Sequence, residues 1–310
     1  MEATIRFDED DFEGFQSFSD VKSKLNTNAS EFIPKHFKDL STEKSLTCVA
    51  FSDIHEAPIH DVMGYIGKYK GKDVCIIAGD LTDGGRKRVE NDPLVSLNYM
   101  MTFFSLLYTH RYFKYILYIG GNHEHVMNYP DLFTKFMSFV CTIPNFYILD
   151  IFTPANLGIQ TLFPQRFREK VTIQGFVFSG ISATIGVINN EQRTRRFNVH
   201  TKGELKQLLS QYDGNDVDVL ITHQNPSPTF HPLCGNNIVD DKLCEILKHG
   251  NLLANIHGHR HESSCMGFYM CEKCFLMINA SYSEQNKRVL RQTHPFKLVN
   301  DSKGKYICLE

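Results

Sequence analysis

No stretch of this 310-residue chain stays apolar for the roughly eighteen residues that a membrane-spanning helix needs. No leader pattern is present either: the opening MEATIRFDEDDFEGF is acidic where a signal peptide is basic and then apolar. Charge of one sign is not in excess. The net value of −2 creates no global field to recruit nucleic acid or an anionic membrane, so neither is the expected partner. Internal repeats, low-complexity tracts and long linkers are also missing. The nine cysteines, without a secretory signal, read as mostly free thiols of a reducing compartment, so the expected location is cytoplasmic. What remains, 42% hydrophobic and 22% charged, is the composition of a globular protein with a substantial core.

Residues 1–45 differ from the rest. They carry ten acidic and six basic residues, with Phe7, Phe12, Phe15 and Phe18 among them. They read as an acidic N-terminal extension with one helix, pinned to the body by phenylalanines or serving as a docking tail. Residues 46–310 read as a single domain. In it, short apolar runs alternate with longer amphipathic stretches, the pattern of an α/β fold. The runs are SLTCVAF, DVCIIA (73–78), YILYI (115–119), VDVLIT (217–222) and LLANI (252–256). Helices are expected near 59–69, 93–110 (opening on Pro93), 130–142, 203–212 and 239–249. EKVTIQGFVFSG alternates like a hairpin around Gln174-Gly175.

Each of the five runs is followed by metal-grade or proton-transfer chemistry. After the first comes SDIHE, with Asp53 and His55; after the second GDLTDGG, with Asp80 and Asp83. The third leads into GGNHEH, with Asn122 and His123, and the fourth into HQNPSP, with His223. The fifth runs into HGHRHE, with His259 and His261. In open α/β sheets ligands bind beyond the carboxyl ends of the strands. Burying that many carboxylates and imidazoles without counter-charge costs several kcal/mol apiece, and divalent cations make such a concentration tolerable. The competing reading is a solvated, His-rich strand edge. In an extended run, His257, His259 and His261 would share one face.

Taken in order, Asp53-Ile54-His55, Gly79-Asp80-Leu81-Thr82-Asp83, Gly121-Asn122-His123-Glu124, His223 and Gly258-His259-Arg260-His261 resemble the five-part signature of the calcineurin-like metallophosphoesterases. The resemblance spans residues 46–282. It implies a four-layer α-β-β-α sandwich of two mixed sheets flanked by helices. It also implies two metal ions bridged by Asp80, one held by Asp53, His55 and His261, the other by Asn122, His223 and His259. The implied reaction is phosphate-ester hydrolysis by a metal-bridging hydroxide. His123 would be the catalytic group that protonates the leaving oxygen, with Asp83 hydrogen-bonded to it, although Asp83 also suits plain turn capping. Oxygen ligands mixed with imidazole suit Mn, Fe or Zn better than Ca, and the lack of thiolates argues against a purely structural zinc. His257 is expected to be structural or to support the ligands.

The resemblance is not to the protein Ser/Thr phosphatase branch, where the second motif continues into Asp-Arg-Gly; here Asp83 is followed by Gly84-Gly85. The closing Gly-His-x-His and the later INASYS (278–283) resemble members that act on small phosphodiesters, so a small, nucleotide-like phosphate ester is the expected substrate. Arginines for its phosphate are sought in EQRTRRF, at Arg193, Arg195 and Arg196, with Arg260 and Arg86-Lys87-Arg88 as further candidates. Cys271 and Cys274 read as hairpin thiols rather than half of a zinc ribbon, since no second pair has ribbon spacing. Three alternatives stand beside the phosphodiesterase: a nuclease of the recombination-repair type, a phosphomonoesterase, and a non-catalytic scaffold that keeps the fold. The scaffold is disfavoured because such descendants lose ligands or the catalytic His, and all are present here.

Overall fold

A computed structural model describes residues 44–83, 92–150, 163, 165–185, 197–226, 243, 245–247, 251–261, 265–282 and 295–310. The N-terminal extension, with its expected helix, falls outside the described residues up to 43.

The first sheet is built on β1 (Lys44–Phe51), β2 (Val74–Ala78), β3 (Tyr115–Ile119), β4 (Phe146–Leu149) and β5 (Phe167–Arg168), all parallel. The second sheet takes β6 (Lys170–Ile173) and β7 (Phe176–Ile181), with β10 (Val219–Thr222), β11 (Ala254–His257), β12 (Cys265–Met270) and β13 (Cys274–Asn279). Its order is β12-β13-β11-β10-β7-β6, with antiparallel pairs at both edges and parallel pairs between. A two-stranded piece joins β8 (Thr184–Ile185) to β9 (Val199–His200). The C-terminal strands β14 (Phe296–Asp301) and β15 (Gly304–Leu309) return to the first sheet, β14 lying antiparallel to β1.

The helices are α1 (Ile59–Ile66), α2 (Pro93–Thr109), α3 (Pro130–Val140) and α4 (Lys202–Leu209). Pro93 sits at the first turn of α2, where its missing N–H costs nothing, and the Asp92 carboxylate caps Leu94 N at 2.8 Å. Thr201 and Glu204 form a capping box on α4. The stretch expected to be helical over 59–69 tightens to a 3-10 turn at Gly67–Tyr69, and the one near 239–249 lies mostly outside the described residues, with 243 and 245–247 helical. Among the described residues no helix is long and apolar enough to cross a membrane.

Strand periodicity separates the layers. Cys48, Ala50, Ile76, Ala78, Leu117 and Ile119 face across to Phe178, Ile221, Ile256 and Ile278, forming a core between the sheets. Their neighbours Val49, Phe51, Ile77 and Tyr118 point the other way, onto α1, α2 and α3. On the far side, Leu220, Phe275 and Met277 of the second sheet pack against Leu205 and Leu209 of α4. The result is an α/β sandwich of two mixed sheets flanked by helices, in α-β-β-α order. Both faces of each central strand are buried, which is why those strands read as continuous apolar runs.

Two expected hairpins are present. Gln174 and Gly175 both take positive φ, 50° and 90°, which suits the tight turn between β6 and β7. β12 and β13 pair antiparallel, closing at Met270 and Cys274; residues 271–273, Cys271 included, lie outside the described residues.

Candidate metal centre

The carboxyl ends of β1, β2 and β3 in one sheet meet those of β10 and β11 in the other. His223, at the end of β10, brings Nε2 to 3.2 Å from the Asp80 carboxylate beyond β2. His261 places Nε2 3.1 Å from Asp53 Oδ1 and 3.0 Å from His55 Nε2. Ligand-type atoms of Asp53, His55, Asp80 and His261 all lie within 4.8 Å of one another. A second group at the same spacing holds Asp80, His223 and His259, and a third holds His55, Asp83 and His123. Asp80 belongs to both of the first two groups. Asn122 is buried next to them, its Oδ1 without a hydrogen-bond partner among the described residues.

Local backbone aims these side chains. Asp53, His55, Asp80 and His259 all have left-handed φ, between 48° and 68°. Non-glycine residues rarely adopt this, and it turns the chain sharply just past each strand. The expectation that His257, His259 and His261 share one extended face is overturned by the same feature. β11 ends at His257, and the turn at His259 rather than strand alternation brings His259 and His261 inward. His257 is fully buried, outside the clusters, and its carbonyl accepts Ala280 N at 2.8 Å. Gly121 and Gly258 serve close approach: a Cβ would overlap Asp80 in the first case and Ser52 Oγ in the second.

Supporting bonds set each donor. His223 Nδ1 donates to the Ala78 carbonyl at 2.8 Å, leaving Nε2 turned to Asp80 with no hydrogen-bond partner among the described residues. Asp53 Oδ2 accepts His259 N at 2.9 Å, and Asp80 Oδ1 accepts His123 N at 2.8 Å. His123 Nδ1 lies 3.1 Å from the main-chain oxygen of Asp83. The Asp83 carboxylate has Oδ1 3.7 Å from His55 Nδ1 and belongs to the same donor group as His123. The loop after β2 turns so that the Asp83 carbonyl lies against His123 while its carboxylate stays in the group with His55 and His123.

The electrostatics show a site that attracts positive charge. Burial pushes the Asp53 and Asp80 carboxyls up, yet the surrounding imidazoles outweigh it and hold both well below the usual carboxylate range. Burial works against a proton on His223, but Asp80 prevails and pushes its pKa up to about 10. Burial, and after it the charge on His223, pushes His259 down to about 4, leaving it neutral and able to ligate. Ionised carboxylates, neutral imidazoles, the His223 Nε2 that faces Asp80 and the Asn122 oxygen form an N/O donor set of the kind that holds a transition-metal ion. The residues fit a metal.

Sequence reasoning gave Glu124 no role, though it stands inside the third motif. Its buried carboxylate accepts Asp80 N and Thr82 N at 3.0 Å each, and Gly121 N, tying the loops after β2 and β3 together. Burial and the Asp80 charge push it up to about 7. Also without an assigned role were Asp150, which accepts Ser182 Oγ at 2.5 Å and Asn198 Nδ2 at 3.1 Å, and, within INASYS, Asn279 at the end of β13 and Ser281 just beyond it. No short motif marks Asp150, and INASYS does not say what Asn279 and Ser281 touch, because their partners at the site are distant in sequence. Arg193, Arg195 and Arg196 lie outside the described residues, as do Arg86, Lys87 and Arg88. The residue after the first three, Phe197, donates its N–H to the Asn122 carbonyl at 3.2 Å, so that connection ends against the site.

A family model for calcineurin-like phosphoesterases matches residues 46–263. No curated protein sequence matches the chain. One solved crystal structure covers 86% of this chain and 99% of its own, with a TM-score of 0.55 at 13% identity, a likeness of fold. A conserved uncharacterised protein of Streptococcus pneumoniae, described as a predicted phosphoesterase, aligns over 86% and 99% at 11% identity with a TM-score of 0.29, too low to carry an argument about this chain.

Proposed function

Because the chain belongs to the calcineurin-like phosphoesterase family, we propose that it hydrolyses small phosphodiesters of the nucleotide kind at a centre of two transition-metal ions. The observation that carries this reading is the sharing of Asp80 between two donor groups, Asp53–His55–His261 on one side and His223–His259 on the other. Asn122 completes the second group. When bound, such ions supply Lewis acidity: an activated water near neutral pH and neutralisation of charge on the phosphoryl oxygens.

The chain's own residues do the rest. Asp80 offers one carboxylate oxygen, Oδ2, to both halves, its other oxygen, Oδ1, held by His123 N. His123 donates Nδ1–H to the Asp83 carbonyl, and its Nε2, 3.9 Å from Asp80 Oδ2, faces the cluster. That nitrogen is placed to hold the proton the leaving oxygen requires. Asp83 fixes the ring through its main chain and places its carboxylate beside His55. In this reading Arg193, Arg195 and Arg196, which precede Phe197 in the sequence, supply guanidinium forks for phosphate. The absence of Asp-Arg-Gly after the second motif supports a diester over a phosphoprotein.

The test is turnover by the full chain of a panel of chromogenic and nucleotide mono- and diesters, cyclic nucleotides included, with Mn, Zn, Fe and Mg supplied in turn. Diesters cleaved faster than monoesters with a transition metal support the proposal. Monoester preference would shift it to a phosphatase, DNA degradation to a nuclease, and no turnover with any metal would refute it.

A further inference from the structure

Asn279, the last residue of β13, with Ala280 and Ser281 after it, lies beyond the 46–263 family match, yet the three touch the site on two sides. Their main chain bridges the sheets at the rim. Ser52 N donates to Ala280 O, Tyr282 N to Ser52 O and Ala280 N to His257 O, each at 2.8 Å, so the tripeptide joins the end of β1 to the end of β11. Both polar side chains are buried, Asn279 at 2% exposure and Ser281 at 1%.

Ser281 Oγ lies 2.8 Å from Asp53 Oδ2 and 2.8 Å from Asn279 Oδ1. A hydroxyl has one proton, and the carboxylate is the stronger acceptor. His259 N is shared between the two oxygens, 2.9 Å from Oδ2 and 3.1 Å from Oδ1, so Oδ2 takes both the hydroxyl and the shorter amide contact while Oδ1 is turned to His261 and His55. Asn279 accepts Ser281 N at 3.2 Å on Oδ1 and donates Nδ2 to the Arg260 carbonyl at 3.0 Å. Arg260 stands between His259 and His261, so one amide sets the peptide that carries both imidazoles.

We infer that Asn279 and Ser281 are positioning residues for one half of the metal centre, orienting the Asp53 carboxylate and the His259–His261 turn so that the Asp53–His55–His261 donors converge. The inference rests on the two-ion reading proposed above. An outer hydrogen bond to a ligating carboxylate tunes affinity for the metal without touching it.

The test titrates manganese into the full-length, metal-stripped protein by calorimetry, with bound metal counted per chain. Urea unfolding of the stripped protein runs in parallel. Ser281→Ala removes one oxygen from a buried position. Asn279→Asp keeps the shape but replaces the donor to Arg260 with an acceptor. Either variant should bind one of two ions about 10–100-fold more weakly, leaving the other ion and the metal-free urea midpoint unchanged. Should Asn279→Asp fail to fold, Ser281→Ala decides alone. Two ions bound with wild-type affinity by Ser281→Ala would overturn the inference while leaving the metal centre standing. Equal weakening of both ions with a lowered metal-free midpoint would also overturn it, showing a merely structural role. Wild-type protein that takes up no ion would overturn the two-ion reading and this inference together.

Discussion

Asp80 concentrates the demands of the site in one side chain. Its backbone is left-handed, its N–H is held by Glu124, one carboxylate oxygen takes His123 N, and the other faces His223, His55 and His123. Replacing it by Asn keeps the shape and one oxygen but removes the charge that two cations would share. Asp80→Asn should therefore abolish turnover and lower bound metal from two ions toward none, read by metal analysis of the purified protein. His123 is different: no donor group needs it to hold an ion under the proposed reading. His123→Ala should keep wild-type metal content while turnover falls about 10²–10⁴-fold, as loss of a proton-transfer group does. Full activity in that variant would remove His123 from the mechanism.

Elements deliver these residues because parallel strands place all their carboxyl ends on one edge. The sharp exits past β1, β2 and β11 then depend on unusual backbone at Asp53, His55, Asp80 and His259 rather than on glycine alone. Far from this rim, the β6–β7 hairpin rests on Gly175 at φ 90°. Gly175→Ala should cost about 1–2 kcal/mol, seen as a lower urea midpoint, with metal content unchanged. A loss of metal in that variant would show that hairpin and rim are coupled. The expected and observed hairpins agree because a two-residue turn between alternating strands is local information. The return of β14 to pair with β1, and the turn that breaks the His257–His261 alternation, are not local.

At the scale of the molecule, one core between the sheets holds the two halves of the site in register, since β1–β3 belong to one sheet and β10–β11 to the other. The centre is assembled only when the sandwich closes, so ions bound there favour the folded chain. Chelation should lower the thermal midpoint and re-addition of Mn or Zn restore it. At a thousand-fold excess over Kd each site stabilises by about 4 kcal/mol. An unchanged midpoint with and without chelator would contradict a metal centre spanning both sheets.

By itself the sequence determined the alternation of strands and helices, the five polar clusters at strand ends and the family they spell, because apolar periodicity and short motifs are carried by neighbouring residues. It also specified the donor types, carboxylate and imidazole. Only the tertiary structure decided that the Asp83 carbonyl lies against His123, that the turn at His259 breaks the strand, and that Glu124, Asn279 and Ser281 brace the rim. Those facts arise where main-chain groups of distant segments meet, and burial obliges each of them to find a hydrogen-bond partner that no local pattern names.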